Sequence, residues 1–207
     1  MALRGVIFDL DGTLVDSGLD FDLMRSEMGL PSGLPLLEAL RQLPADAAAH
    51  RWAILADHET RGAERATLFP GVREFLDGLS RRGVPQAIFT RNSRLSTLAT
   101  LERLELRFDP VMCREDAPAK PDPAAIWKIC EAWGVRSSEC VMVGDYQFDI
   151  EAGRRAGTRT VLFTGSGESS GLEDEQRADF VLDSFLEPAA FWAWLAQIDL
   201  GGCGGSC

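Results

Sequence analysis

The chain has 207 residues, of which 45% are hydrophobic and 26% charged, and its formal net charge is −11. These values are ordinary for a globular protein of one or two domains that can bury a full α/β core. The negative charge argues against nucleic acid as a partner, because that binding depends on Lys and Arg side chains that neutralise phosphates. No apolar segment approaches the ~20 residues needed to span a bilayer, and no signal peptide is recognisable, so we expect a cytoplasmic protein without membrane contact.

Along the chain, apolar segments typical of strands alternate with segments of helical spacing. Apolar spacing predicts helices at residues 72–82, 95–104 and 124–133. Nearly continuous apolar strands that alternate with helices are typical of a parallel sheet covered on both faces. The expected fold is therefore an α/β, Rossmann-like three-layer core. Its strands are predicted at residues 5–8, 86–89, 110–113, 140–143, 160–163 and 180–182.

One long segment, residues 16–68, lacks a convincing strand. It follows the first strand directly and carries three helical patterns, at 21–28, 35–43 and 47–65. We therefore predict a small helical cap at 16–68, inserted into a catalytic core made of residues 1–15 and 69–198. The glycine-rich end, residues 199–207, is expected to be a flexible tail.

Five cysteines are spread along the chain without the pairing typical of a disulfide framework. Cys113, Cys130 and Cys140 lie in or beside apolar segments and are expected to pack as small core residues. Cys203 and Cys207 lie in the glycine-rich end, where two thiols without a nearby histidine are too few ligands for a metal site.

The first strand is followed by a dense acidic segment, Asp9-Leu10-Asp11-Gly12-Thr13. Side chains alternate along a strand, so Asp9 and Asp11 are expected to point to the same side while Leu10 enters the core. Two neighbouring carboxyls are suited to different roles, with one ionised as nucleophile and the other protonated as general acid. A calcium loop is excluded because the sixth position counted from Asp9 is Leu14, where that loop requires glycine.

A second polar cluster, Thr90-Arg91-Asn92-Ser93, follows the strand predicted at 86–89. A hydroxyl and backbone N–H groups at the start of a helix form a natural phosphate site, which makes Thr90, Arg91 and Asn92 candidate substrate ligands. Helix capping by Asn92 or Ser93 is the more common explanation for such residues. The sequence does not decide whether Arg91 points to substrate or to solvent.

Lysine is scarce, since only Lys120 and Lys128 occur. A single lysine is normally a solvated charge. Lys120, however, precedes Pro121, and this proline stiffens the approach to the next predicted helix. A defined position near the carboxyl edge of the sheet favours a functional role for Lys120.

A further acidic pair follows the strand predicted at 140–143. Asp145 comes first and Asp149 lies one helical turn later, a spacing that suits a hard cation bound by one carboxylate and steadied by the other. Helix capping is the alternative for Asp145. Ligands of open α/β sheets bind outside the carboxyl ends of the strands, so the clusters are expected to converge. Mg²⁺ between Asp9 and Asp145, with Lys120 opposite, would offset the repulsion between a carboxylate nucleophile and a phosphate.

The chain resembles the haloacid dehalogenase-like hydrolase superfamily, in particular its phosphoglycolate-phosphatase-like branch. The resemblance rests on the ordered set Asp9-Leu10-Asp11-Gly12-Thr13, Thr90, Lys120-Pro121 and Gly144-Asp145 with Asp149. It implies a Mg²⁺-dependent phosphatase acting on a small phosphorylated metabolite, with phosphoglycolate or another small organic phosphate monoester as substrate. The cap at 16–68 would close over the pocket and select that substrate.

The resemblance also implies a role for each site residue. Asp9 would form an aspartyl-phosphate, while Asp11 would protonate the leaving alcohol, then activate water, and bind the metal through its backbone carbonyl. Thr90 and Lys120 would hold the phosphoryl group. Asp145 would be the second carboxylate on the metal, with Asp149 supporting the site from beside it.

Other activities of the superfamily can be weighed from single residues. The dehalogenases lack an aspartate two positions after the nucleophile, so Asp11 argues against that chemistry, and phosphonate-cleaving members need a cap lysine, whereas no lysine precedes Lys120. A sugar phosphomutase and a non-catalytic binding module remain as alternatives, although a module has no need of nucleophile and acid together. His50 and His58 share one face of a predicted cap helix, where packing or solvation is favoured over catalysis.

Overall fold

The computed structural model describes residues 3–167 and 178–200 of the chain. A six-stranded sheet forms the centre of the described part, and each pair of neighbouring strands in it is parallel. The strands of the molecule are β1 (Gly5–Phe8), β2 (Val15–Asp16), β3 (Thr67–Leu68), β4 (Gln86–Phe89), β5 (Val111–Met112), β6 (Cys140–Gly144), β7 (Arg159–Phe163) and β8 (Phe180–Leu182). Across the sheet the order is β5-β4-β1-β6-β7-β8, so β1 lies between β4 and β6.

Eight α-helices occur among the described residues. Most of their bounds follow the predicted helical patterns to within about two residues, as is usual for helix ends. They are α1 (Phe21–Met28), α2 (Leu36–Gln42), α3 (Ala45–Arg65), α4 (Val72–Ser80), α5 (Arg94–Arg103), α6 (Ala124–Trp133), α7 (Gln147–Ala156) and α8 (Ala189–Leu200), with a 3₁₀ turn at Ser137–Glu139. None of the described helices combines the length and apolar character needed to cross a bilayer.

Helices cover both faces of the sheet. On one face Phe8 of β1 packs with α4, α5 and α8 in a cluster that includes Phe75 and Phe191. On the other face Ile7 and Met142 pack against α6 and α7. Neighbouring residues of β1 enter opposite clusters because side chains alternate along a strand. The predicted three-layer α/β fold with a parallel sheet is confirmed.

Helices α1, α2 and α3 form a layer of their own, which we call the helical insertion. The chain enters and leaves it through the antiparallel pair β2–β3, in which Val15 lies opposite Leu68. Met24, Leu37 and Leu55 come from the three different helices and belong to one buried cluster. Helix α3 also packs along α5 of the core. The insertion therefore has its own small core and a second line of contact with the sheet domain.

The pair β2–β3 was not predicted, because a two-residue strand is too short to produce a periodic pattern. Strand β5 is likewise shorter than the predicted 110–113. Cys113, Cys130 and Cys140 are buried free thiols, as predicted. Residues 201–207 of the predicted tail, with Cys203 and Cys207, lie outside the described residues.

Phe75 of α4 is 1% exposed, and its ring contacts Phe185, Phe191 and Trp192 at centroid distances of 5.0, 5.1 and 5.2 Å. We expect Phe75→Ala to lower the free energy of unfolding by about 3–5 kcal/mol, because it leaves a cavity in this aromatic cluster. Urea denaturation followed by circular dichroism measures the change. The matched control is Leu95→Ala, since Leu95 is 78% exposed and should change stability by less than about 0.5 kcal/mol. Equal losses for both variants would contradict the assignment of Phe75 to the core.

Candidate active site

The predicted polar clusters meet at the carboxyl edge of the sheet. Asp9 follows β1, Thr90 follows β4 and Asp145 follows β6, and these strands are direct neighbours. They border a cavity of about 700 Å³ whose walls come from the core and from the helical insertion. Every predicted site residue lines it: Asp9, Asp11, Thr90, Arg91, Asn92, Lys120, Asp145 and Asp149.

Lys120 lies at the floor of the cavity and is 2% exposed. Its Nζ donates one hydrogen bond to Asp9 and another, of 2.6 Å, to Oδ1 of Asp149. The same Nζ lies 5.2 Å from the centre of the Phe89 ring. A buried ammonium between two carboxylates is a fixed point charge, and a defined position for Lys120 was expected from the proline that follows it.

Asp11 has different partners from Asp9. Asn92 donates a hydrogen bond from Nδ2 to Oδ2 of Asp11, so an amide and not an ammonium contacts this carboxyl. The Asn92 backbone N–H donates to the hydroxyl of Thr90 at 3.2 Å. Ser93 is the N-cap of α5, which leaves the Asn92 side chain for Asp11. The carboxyls of Asp9 and Asp11 therefore lie in the same cavity but contact groups of different charge.

Asp145 approaches the first motif closely. The Thr13 hydroxyl donates a 2.7 Å hydrogen bond to Oδ1 of Asp145. A Cβ placed on Gly12 would lie 2.3 Å from Oδ2 of Asp145, and one placed on Gly144 would lie 2.2 Å from the Cβ of Asp149. Any larger residue at Gly12 or Gly144 would collide with these carboxylates. The two glycines therefore allow the acidic side chains to come together.

Three carboxylates of the cavity form a cluster suited to a cation. Asp9, Asp145 and Asp149 each offer an oxygen, and these oxygens lie within 4.8 Å of one another. One ammonium, that of Lys120, contacts the cluster, which leaves an excess of negative charge. Oxygen ligands of this kind are those that Mg²⁺ prefers. The residues present thus fit a hard divalent cation.

Burial dominates the titration of the cluster. Loss of water raises the pKa of Asp9 to about 7, although the ammonium of Lys120 opposes the rise. Burial likewise raises the pKa of Asp145, with the charges of Asp9 and Asp149 adding to it. For Asp11, burial raises the pKa against the hydrogen bonds from Ser17 and Asn92. Burial lowers the pKa of Lys120, but the carboxylates of Asp149 and Asp9 outweigh it and hold that pKa above its ordinary value. Since no ammonium contacts Asp11, its raised pKa makes this carboxyl the candidate acid of the cavity.

Arg91 lines the cavity and extends toward the helical insertion. Its Nη1 donates to the backbone carbonyl of Lys120 at 2.7 Å. Its Nη2 contacts both carboxylate oxygens of Glu38 in α2, at 2.9 and 2.7 Å, and its guanidinium lies 4.7 Å from the centre of the Phe148 ring. Arg91 therefore lines the cavity and connects the sheet domain to the helical insertion.

Glu59 of α3 makes a second connection between the helical insertion and the sheet domain, and the sequence did not indicate it. It lines the cavity, is 4% exposed, and accepts hydrogen bonds from Arg114 at 2.5 and 3.3 Å. The backbone N–H of Ser93 donates to the same carboxylate at 3.3 Å. A glutamate on an amphipathic helix is usually solvated, so no sequence signal separates Glu38 and Glu59 from their neighbours.

Neither histidine of the helical insertion lines the cavity. His58 is buried and its Nε2 contacts Glu27 at 2.7 Å, while His50 is exposed. The packing role that was favoured for His58 is the one the structure shows. Residues 18–22, at the start of the insertion, do line the cavity.

Comparison with known proteins gives a match to the family model described as haloacid dehalogenase-like hydrolase, over residues 6–163. The chain is 32% identical to a haloacid dehalogenase-like hydrolase domain-containing protein of Arabidopsis thaliana, over 86% of this chain and 80% of that one. It is 31% identical to a phosphoglycolate phosphatase of Pseudomonas savastanoi, over 77% of this chain and 68% of the relative.

Solved structures agree in fold. The crystal structure of a predicted phosphoglycolate phosphatase from Haemophilus somnus superposes with a TM-score of 0.74 at 23% identity, covering 92% of this chain and 98% of the other. At that identity the likeness concerns the fold. Together with the sequence relatives, it confirms the resemblance drawn from the motifs, and with it the prediction of a hydrolase.

The raised pKa values predict how stability depends on pH. Between about pH 4, where an unfolded aspartate titrates, and about pH 7, Asp9, Asp11 and Asp145 bind more protons in the folded protein than in the unfolded chain, so their contribution to stability falls as pH rises. In EDTA, the Tm should therefore fall from pH 5 to pH 8. Asp145→Asn should reduce this fall and raise the Tm at pH 8 by a few degrees, because it removes one buried charge.

The matched control for this measurement is Asp46→Asn, which removes a carboxylate from an exposed position of α3. Thermal unfolding in EDTA at several pH values compares the three proteins. If the Tm of Asp145→Asn falls as steeply with rising pH as that of the unsubstituted protein, the raised pKa assigned to Asp145 is contradicted.

Proposed function

The chain belongs to the haloacid dehalogenase-like hydrolase family, and from this premise we propose that it is a Mg²⁺-dependent phosphatase of a small organic phosphate monoester. One observation carries the proposal. Asp9 and Asp11 line the same cavity, but Asp9 contacts an ammonium and Asp11 an amide. Nucleophile and acid need such a difference, since one must be ionised while the other holds a proton.

In this proposal, Asp9 is the nucleophile and forms an aspartyl-phosphate. The ammonium of Lys120 opposes the rise that burial causes in the pKa of Asp9, and it lies where the negative charge of a phosphoryl group develops. The Thr90 hydroxyl, which lies at the end of β4 and lines the cavity, holds a phosphoryl oxygen. Since phosphoryl transfer depends mainly on position and charge balance, these fixed groups supply what the reaction requires.

Asp11 acts as the general acid and then as the base. It gives its proton to the leaving alkoxide as the ester bond breaks, and later takes a proton from the water that attacks the aspartyl-phosphate. Burial keeps the pKa of Asp11 raised, which favours the protonated form at the first step. The Asn92 amide holds the carboxyl in place through both steps.

The metal ligands in the proposal are the carboxylates of Asp9 and Asp145 and the backbone carbonyl of Asp11. When bound there, Mg²⁺ neutralises charge between the nucleophile and the phosphate oxygens. Asp149 stays beside the site, where it accepts from Lys120 and fixes the ammonium. Thr13 orients Asp145 by its hydroxyl hydrogen bond.

We further propose that residues 16–68 act as a cap that shapes the leaving-group side of the cavity. The insertion supplies Leu36, Leu37 and Leu55 to its walls. The family resemblance implied phosphoglycolate or another small organic phosphate as substrate, and phosphoglycolate gives several relatives their name. Those names favour phosphatase over phosphomutase for this chain, and release of free phosphate without a bisphosphate activator separates the two.

The nucleophile can be tested directly. Asp9→Asn should lower phosphate release from para-nitrophenyl phosphate by at least about a thousandfold, because an amide does not attack phosphorus. A malachite green assay measures the released phosphate. Asp46→Asn serves as the control and should retain activity. Turnover by Asp9→Asn close to that of the unsubstituted protein would exclude the proposed mechanism.

Metal dependence has a readout besides turnover. Mg²⁺ added to the EDTA-treated and dialysed protein should raise its Tm at pH 7.5, because the ion binds the folded carboxylate cluster and not the unfolded chain. The same addition should leave the Tm of Asp145→Asn nearly unchanged. Phosphatase activity that persists in excess EDTA would overturn the metal part of the proposal.

A further inference from the structure

We propose that the cavity selects phosphate monoesters whose leaving group carries no negative charge, and that Glu38 is the residue responsible for this selection. The inference rests on the proposed phosphatase function and adds a substrate class to it. It runs against esters such as phosphoglycolate, whose leaving group carries a carboxylate.

Every cationic side chain that lines the cavity among the described residues is already paired. Lys120 contacts Asp9 and Asp149, and it belongs to the phosphoryl end of the site. The two arginines, Arg25 and Arg91, remain for the leaving-group end. Arg25 contacts Asp22 at 2.8 Å, and its Nε donates to the backbone carbonyl of Leu34 at 2.8 Å.

The pair between Arg91 and Glu38 is the stronger of the two arginine pairs. Both carboxylate oxygens of Glu38 accept from Nη2 of Arg91, whereas Asp22 offers a single contact and its side chain is 76% exposed. Nη1 of Arg91 is held by the carbonyl of Lys120, so the guanidinium cannot turn away without losing a second hydrogen bond. Arg91 lines the cavity and Glu38 does not, so Glu38 neutralises from outside the cavity the guanidinium that a carboxylate of a substrate would need.

The rest of the leaving-group side is unfavourable for an anion. Asp20, Asp22 and Glu59 line the cavity, and of these Asp22 pairs with Arg25 and Glu59 with Arg114. The apolar part of the wall includes Leu36, Leu55 and Phe148. A neutral leaving group gains contact with this apolar wall, while an anionic group must compete with Glu38 for Arg91 or with Asp22 for Arg25.

A matched pair of esters tests the inference. Phosphoglycolate and its primary amide, carbamoylmethyl phosphate, have nearly the same size and differ in the charge of the leaving group. The unsubstituted protein should show a kcat/KM about tenfold higher for the amide. Glu38→Gln frees Nη2 of Arg91 from a charged partner, so it should shift the ratio of the two kcat/KM values toward phosphoglycolate by about tenfold.

Glu64→Gln is the control, because it removes the same charge from an exposed position of α3 and should leave the ratio unchanged. Para-nitrophenyl phosphate, measured in parallel, reports the proposed function independently. The charge selection alone is overturned if para-nitrophenyl phosphate is hydrolysed but the unsubstituted protein prefers phosphoglycolate to the amide. It is also overturned if para-nitrophenyl phosphate is hydrolysed but Glu38→Gln leaves the ratio of the two kcat/KM values unchanged. Absence of hydrolysis of all three esters overturns the proposed function and the selection with it.

Discussion

The ammonium of Lys120 holds the charge balance on which the rest of the site depends. It contacts Asp9 and Asp149 at a position that is 2% exposed, where water cannot replace a lost partner. Two unit charges ~4 Å apart interact by about 4 kcal/mol at an effective dielectric of 20. Without the lysine, Asp9, Asp145 and Asp149 would repel one another at close range. Lys120 and the carboxylates of Asp9, Asp145 and Asp149 therefore form one electrostatic unit.

The parallel sheet explains how residues so far apart in the chain come to share that unit. Its central strands, β1, β4 and β6, end at one edge, and each delivers a polar residue there. The apolar strands behind that edge are fully buried, which fixes the backbone from which these side chains emerge. Gly12 and Gly144 then permit an approach that any Cβ would block. The packing of the sheet therefore fixes where the charged side chains lie at its carboxyl edge.

The helical insertion is joined to the site by ion pairs as well as by packing. Glu38 contacts Arg91, and Glu59 contacts Arg114 and the backbone at the start of α5. Glu59 lines the cavity, and Glu38 contacts it through Arg91. The same helices contribute Leu36, Leu37 and Leu55 to the apolar wall. In the proposed function, recognition of the leaving group therefore depends on the insertion and on its contacts with the core.

The sequence by itself determined the sheet, most of the helices and the identity of the principal site residues. Strand periodicity and the placement of Asp9, Thr90, Lys120 and Asp145 after strand-like segments were sufficient, because the carboxyl ends of parallel strands must meet. The short pair β2–β3 was missed, since two residues carry no period. The local sequence was therefore enough to place the candidate residues at the carboxyl edge of the sheet.

Only the tertiary structure decided which partners the charged groups have. Asn92 contacts Asp11, Arg91 faces Glu38, and Glu59 is buried against Arg114, and none of these pairs is close in sequence. A glutamate on an amphipathic helix looks the same in sequence whether water or an arginine faces it. Burial and the sign of the nearest charge depend on how two layers pack, and they set the pKa of Asp11 and, in our proposal, the kind of leaving group that fits.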